Sequence, residues 1–300
     1  MKGEIVMTTK EKTERGLRNS SLTRVQPFFD CLFKERGNGP AWLSTLLGMA
    51  TKNKGLADAL SVKDCNIIIR TSNKKSSDTK REQQAWDSCF EYSIAPSVAF
   101  LKWLINNPNE LRWPTTKGER KEFSNPKTQQ MRTYLIDHTD EANGKKAQQE
   151  ALRQIGLISN SKHVVQSVKH KTEAWVRFEG YTRLDCLLET SNFVLAIEGK
   201  RTEQVSKSIT WYRQRNQIVR ILEVLKEYAQ DKQYALLLMN EDGIDPIKDD
   251  DFIKSLPHFK LSKQKAQEIS DHYLGCASWA SACEELGIDT RCLPDTIYDI

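Results

Sequence analysis

Three hundred residues, 38% of them hydrophobic, supply enough chain to bury one large core or two small ones, and no apolar run approaches the length of a membrane-spanning helix. The 45 Lys and Arg against 40 Asp and Glu give a net charge of +5, and residues 1–150 hold the basic excess, 25 against 18, which suits a region that faces nucleic acid. Seven cysteines, odd in number, scattered and without a C-x-x-C pair, argue against a disulfide scaffold or a zinc knuckle and for a reducing compartment.

The opening stretch MKGEIVMTTKEKTERG lacks the apolar core of a signal peptide, so the expectation is a cytoplasmic protein with a polar leading tail. From Ser21 onward Leu22, Val25, Phe28, Phe29, Leu32 and Phe33 recur at helical spacing as far as the breaker Gly37-Asn38-Gly39-Pro40, and Trp42, Leu43, Leu46 and Leu47 begin a second helix. Asn66 to Ile69 reads as a short strand or a buried turn. Thr71 to Arg81 and Leu111 to Glu122 read as loops. Lysines of the first would grip phosphate, and Arg112 with Trp113 would stack on an unpaired base. The plainer readings are a solvated loop and a tryptophan that plugs a core edge.

Ala85 to Asn106 predicts a helix interrupted at Pro96, Ala147 to Leu157 a helix by composition, and Ala174 to Tyr181 a half-buried strand by its alternation. Ser206 to Gln230 predicts a long helix with Ile218, Ile221, Leu222 and Leu225 as its apolar stripe. Arg213, Gln217 and Arg220, at i, i+4 and i+7, share another face of it. Gln233 to Met239 reads as a buried strand, Asp249 to Asp251 as a helix start or loop, and Lys263 to His272 and Ser278 to Leu286 as helices. The five histidines show no zinc spacing, and the sequence holds no P-loop, G-x-G-x-x-G or G-x-S-x-G.

The chain is organised around Arg183 to Lys200, RLDCLLETSNFVLAIEGK. Two apolar runs of strand length flank the turn formers Thr190, Ser191 and Asn192, which predicts a β-hairpin. With Ser191 and Asn192 at the centre of the turn, Thr190 faces Phe193 and Asp185 stands opposite Glu198. Lys200 lies two positions beyond Glu198 and so points to the same side. Facing carboxylates repel, and a hard divalent ion such as Mg²⁺ offsets that repulsion while leaving room for waters and phosphate oxygens. An ammonium beside metal-bound water can orient or help deprotonate the nucleophile, so the chemistry read from these residues is phosphodiester hydrolysis. The competing reading is an ordinary amphipathic hairpin with Asp, Glu and Lys on a solvated face. The continuously apolar Val194-Leu195-Ala196-Ile197 favours a central strand covered on both faces.

Asp185 followed on the next strand by Glu198-Gly199-Lys200 resembles the PD-(D/E)XK nuclease superfamily, with Leu184 where the name-giving motif has proline. The resemblance implies a restriction-endonuclease-like α/β core, a mixed central sheet flanked by helices, in residues 145–245. Around it lie a mostly helical, basic region at 1–144 and a helical extension at 246–300. It implies Asp185, Glu198 and the backbone carbonyl of Gly199 as ligands of Mg²⁺ or Mn²⁺, Lys200 as the catalytic lysine, and Glu150 as a further acid near the metal. By the same resemblance Arg213, Gln217 and Arg220 are candidates for holding substrate phosphate. DNA is the expected partner, no membrane is involved, and two copies would pair where both strands are cut. The alternatives are a nucleic-acid-binding module that keeps the fold without catalysis, and a protein-interaction scaffold.

Overall fold

The computed structural model describes residues 18–37, 41–60, 67–70, 90–94, 96–110, 182–209, 212–259, 263–297 and 299. The loops expected at 71–81 and 111–122, the helix at 147–157 with Glu150, and the strand at 174–181 lie outside the described residues.

Near the start, a π turn at Ser21–Val25 runs directly into α1 (Gln26–Arg36), followed by α2 (Ala41–Gly48) and α3 (Lys54–Leu60). Strand β1 (Ile68–Arg70), strand β2 (Tyr92–Ile94) and helix α4 (Val98–Asn106) come next. Strands β3 (Thr182–Leu184), β4 (Cys186–Glu189) and β5 (Phe193–Gly199) precede α5 (Gln217–Ala229) and β6 (Gln233–Asn240). Then come α6 (Asp249–Ser255), α7 (Lys263–Ser270), β7 (Tyr273–Ser278) and α8 (Trp279–Leu286), followed by a 3₁₀ turn at Thr290–Cys292.

Five strands make one mixed sheet in the order β1-β4-β5-β6-β7, and β2 pairs with β3 beside it. The pairs β1/β4 and β4/β5 are antiparallel, whereas β5/β6 and β6/β7 are parallel. Parallel neighbours need crossovers, and α5 supplies the first while α6 and α7 lie within the second. Alternation along β5 then divides the core. Phe193, Leu195 and Ile197 pack with Val25, Phe28, Phe29, Trp42 and Trp279 on one face, and Val194 and Ala196 pack with the apolar stripe of α5 on the other. Every residue of β5 is buried, as a strand covered on both faces must be. Phe28 meets Trp279 edge to face at 5.6 Å, which joins α1 to α8, and meets its α1 neighbour Phe29 in the same way at 5.1 Å.

Hairpin register follows the sequence reading: Cys186 pairs with Ile197 and Glu189 with Val194, and Thr190 N–H donates to the Phe193 carbonyl at 2.9 Å. Three expectations are corrected. The helix expected from Ala85 to its interruption at Pro96 contains β2 instead, whereas the part beyond Pro96 is helical as α4 from Val98, where the Ser97 hydroxyl caps it by accepting from Phe100 N–H. The helix expected from Ser206 begins at Gln217. Ser206 spends its hydroxyl on the Ser208 carbonyl, and Asn216 caps the helix by accepting from Ile218 N–H while its own N–H donates to Ser255 Oγ at 2.6 Å. Arg213 therefore stands before the helix, exposed, and does not share a face with Gln217 and Arg220. Finally, the C-terminal segment supplies a strand of the main sheet, β7, as well as helices.

Beside the sheet, α4 is fastened to α5 by buried charge. Arg215 pairs with Glu223 at 2.7 Å and lies 3.7 Å over the Phe100 ring, and Ser97 Oγ donates to Glu223 at 2.6 Å. Although burial opposes ionisation, the Arg215 guanidinium and its neighbours hold the Glu223 carboxyl down at about 2.

Candidate active site

The site forms where β5 ends. Asp185 sits at a bend between β3 and β4, one residue beyond the ladder, so it meets β5 through its side chain: Oδ2 accepts from Gly199 N–H at 2.8 Å. Its other oxygen, Oδ1, accepts from Ser21 Oγ at 2.6 Å. Ser21 comes from the π turn before α1, and its hydroxyl also lies 3.3 Å from Glu91 Oε1. Gly199 lets the π turn and α8 pack this close to β5, because a Cβ there would stand 2.4 Å from Val25 Cγ2 and 3.1 Å from Trp279 Cζ2.

Glu198 is 2% exposed and on the α5 side of the sheet. One oxygen, Oε1, accepts from Lys200 Nζ at 2.7 Å and from Gln217 Nε2 at 2.6 Å. The other, Oε2, is buried and has no hydrogen-bond partner among the described residues. Lys200 is fixed by its main chain as well as its charge: its N–H donates to the Met239 carbonyl at 2.7 Å, and its carbonyl accepts from Trp279 Nε1 at 3.1 Å. A cleft of about 390 Å³ opens beside it, lined by Lys200, Arg201, Glu203, Lys207, Asn240 and Glu241 among others.

Burial and the neighbouring Glu198 push the Asp185 carboxyl up to about 8, against the opposing pull of Lys200, Ser21 and Gly199 N–H. Burial also raises Glu198, with Lys200 and Arg220 working against it. For Lys200 burial disfavours the ammonium, but Glu198 and Asp185 together outweigh it and raise its pKa. The lysine is thus held as a cation between two acids that gain from one.

Of the sequence candidates, Asp185, Glu198, Gly199, Lys200 and Gln217 come together, and Arg220 lies close enough for its charge to favour the Glu198 carboxylate. Arg213 does not join them, and Glu150 lies outside the described residues. Sequence reasoning missed Ser21, Glu91 and Trp279, which sit 164, 94 and 94 positions from Asp185 and carry no local signal of their role. Among the described residues no group of three or more His, Cys, Asp and Glu side chains has a metal-holding arrangement. Two carboxylates with one orphaned buried oxygen nevertheless match the donor set of a hard divalent ion, which takes one or two carboxylates and fills its shell with water and phosphate oxygens. Compared with known proteins, the chain matches no family model, no curated protein and no solved structure.

Proposed function

We propose that this protein is a Mg²⁺- or Mn²⁺-dependent nuclease that hydrolyses phosphodiester bonds in DNA, with its active site at Asp185, Glu198 and Lys200. The observation that carries the reading is the pair of buried acids with one lysine at the end of a central strand, where Glu198 Oε2 has no hydrogen-bond partner among the described residues. Burying such a group without a partner costs free energy, which a bound cation would offset. The strand pattern agrees with the restriction-endonuclease-like resemblance: β4 and β5 antiparallel, then β5 and β6 parallel across an intervening helix.

Asp185 and Glu198 would hold the cation, with the Gly199 carbonyl as a further ligand. Bound there, it would polarise the phosphoryl group and lower the pKa of its water. Gln217 orients Glu198 through its hydrogen bond to Oε1, and Ser21 does the same for Asp185. Lys200, kept as an ammonium, offers a donor to the attacking water or to the charge that develops on phosphate. Trp279 fixes the Lys200 main chain so that this donor does not drift.

The test is incubation with circular single-stranded and supercoiled duplex DNA in Mg²⁺, Mn²⁺ or EDTA, beside Glu198→Gln and Lys200→Ala. The expected result is metal-dependent loss of the circles that falls at least about a hundredfold in either variant, the scale on which removing one such group acts. Equal rates in wild type and both variants would sink the assignment.

A further inference from the structure

Two arginines beside the site are engaged in a way that the proposed chemistry leaves unused. Arg201 follows Lys200 directly, and Arg24 lies one turn along from Ser21 on the first helical segment. Both side chains are only 8% exposed. They share Glu241, which Arg24 Nε meets at 2.6 Å and Arg201 Nε at 3.8 Å. They also share the backbone at Pro294, whose carbonyl accepts from Arg24 Nη1 at 2.9 Å and from Arg201 Nη1 at 3.5 Å.

Arg201 makes one more engagement. Its fork donates to two oxygens of a single residue: Nη1 to the Asp295 carbonyl and Nη2 to Asp295 Oδ1 at 3.0 Å. Thr23 completes the surroundings: its carbonyl accepts from Arg24 Nη1 at 2.7 Å and its hydroxyl oxygen accepts from Arg201 Nη1 at 3.4 Å. Two like charges thus lie side by side, and burial and then Arg24 lower the pKa of Arg201. Their counter-charges are uneven. Glu241 is half-exposed, and the Asp295 side chain is 90% exposed, so the ion pair it forms is screened by water and weak.

Two oxygens presented to one guanidinium fork is the pattern that the two non-bridging oxygens of a phosphodiester offer. Arg201 also lines the cleft of about 390 Å³ that opens beside Lys200. We propose that Arg24 and Arg201 form a clamp for a backbone phosphate of the nucleic acid next to the reacting one, and that Asp295 occupies it until that phosphate displaces the carboxylate. The proposal rests on the nuclease reading for the identity of the ligand. It adds a phosphate subsite and a competing segment of the protein's own chain.

The test is binding of a fluorescent DNA duplex in EDTA, where nothing is cut, over a range of salt concentrations. Asp295→Ala removes the competitor at a solvent-exposed position, so folding is not at risk, and it should tighten binding about two- to fivefold, the scale of one exposed ion pair. Arg201→Ala should weaken binding and reduce the salt slope by about one, the loss of one phosphate contact. Joining it to Asp295→Ala should abolish the gain. Asp295→Ala binding no tighter than wild type would overturn the clamp, as would a gain that persists without Arg201. Cleavage of circular DNA is scored separately. Cutting with no gain in Asp295→Ala overturns the clamp and leaves the nuclease reading intact. A gain without any cutting overturns the nuclease reading and leaves the clamp, and no duplex binding by any form overturns both.

Discussion

Gly199 is the position where the fold and the candidate site constrain each other most tightly, and Gly199→Ala measures that constraint. The new methyl would lie 2.4 Å from Val25 Cγ2, whereas carbon atoms rest at about 3.5–4.0 Å, so Val25 must retreat by more than about 1 Å. Val25 is wholly buried and belongs to the π turn that also carries Ser21 and Arg24, so any retreat drags the hydroxyl away from Asp185. Overpacking of this kind costs about 1–3 kcal/mol. Val25→Ala alone leaves a cavity and costs about 2 kcal/mol, from about 0.8 kcal/mol per buried methylene plus the cavity itself. In the double variant the alanine methyl at 199 enters the vacated space, so the pair should cost about 1–2 kcal/mol less than the sum of the singles. Relief stays incomplete because Trp279 Cζ2 remains 3.1 Å from the new atom. Urea denaturation followed by tryptophan fluorescence reads all four proteins. A Gly199→Ala variant within about 0.5 kcal/mol of wild type would refute the reasoning, and so would strictly additive costs.

Further outcomes follow from charge and hydrogen bonding. Asp185 stands raised to about 8, so most molecules carry a proton there at pH 7 that a cation must displace, and apparent Mn²⁺ affinity should rise about tenfold per pH unit up to about 8 and then level off. The same sign means that the cation-free protein loses stability as pH rises from the ordinary carboxylate range through about 8. Ser21→Ala removes a 2.6 Å hydrogen bond to the ionised form and should weaken Mn²⁺ binding about tenfold at pH 7, since a bond to a charged group contributes ~1.5 kcal/mol or more. Titration calorimetry checks both, and a flat pH dependence would count against the pairing of the two acids. Arg215→Leu removes the buried counter-charge of Glu223, leaving it Ser97 and His258, and should cost about 3 kcal/mol in urea denaturation, and a loss below about 1 kcal/mol would show that the pair is not isolated from water. Glu223 itself is depressed, so the stability it contributes is present at neutral pH and lost as pH falls through about 2.

How much of this was legible in the sequence depends on the range of the interaction that decides each element. The hairpin was legible because a two-residue turn and two apolar runs fix register within eighteen consecutive residues. The stripe of α5 was legible for the same reason, but its start was not, since Asn216 wins the cap through a hydrogen bond to Ser255, 39 positions away. Strand β7 was hidden by Gly275, which stands at φ +87° beside a register shift between β6 and β7, where the main chain at Thr51 and Lys52 donates to the Leu274 carbonyl. A side chain at Gly275 would meet Thr51 Oγ1, so close approach dictates the residue and breaks the strand pattern. At the site, the motif residues were legible and their supports were not. Ser21, Glu91 and Trp279 lend one hydrogen bond or one charge each from distant segments, and nothing in their immediate neighbours marks that role.

The Trp279 indole on the Lys200 carbonyl also sets an order in time. Seventy-nine residues separate the two, so a chain made at about 5–20 residues per second exposes the hairpin for several seconds before its last support is synthesised. Strand β7 and helix α8 arrive in that same late interval, and contacts over such separations are slow to close. A growing chain therefore holds acids and lysine in the right order along the sequence while lacking the frame that aims them. The site is framed only once Trp279 has been made.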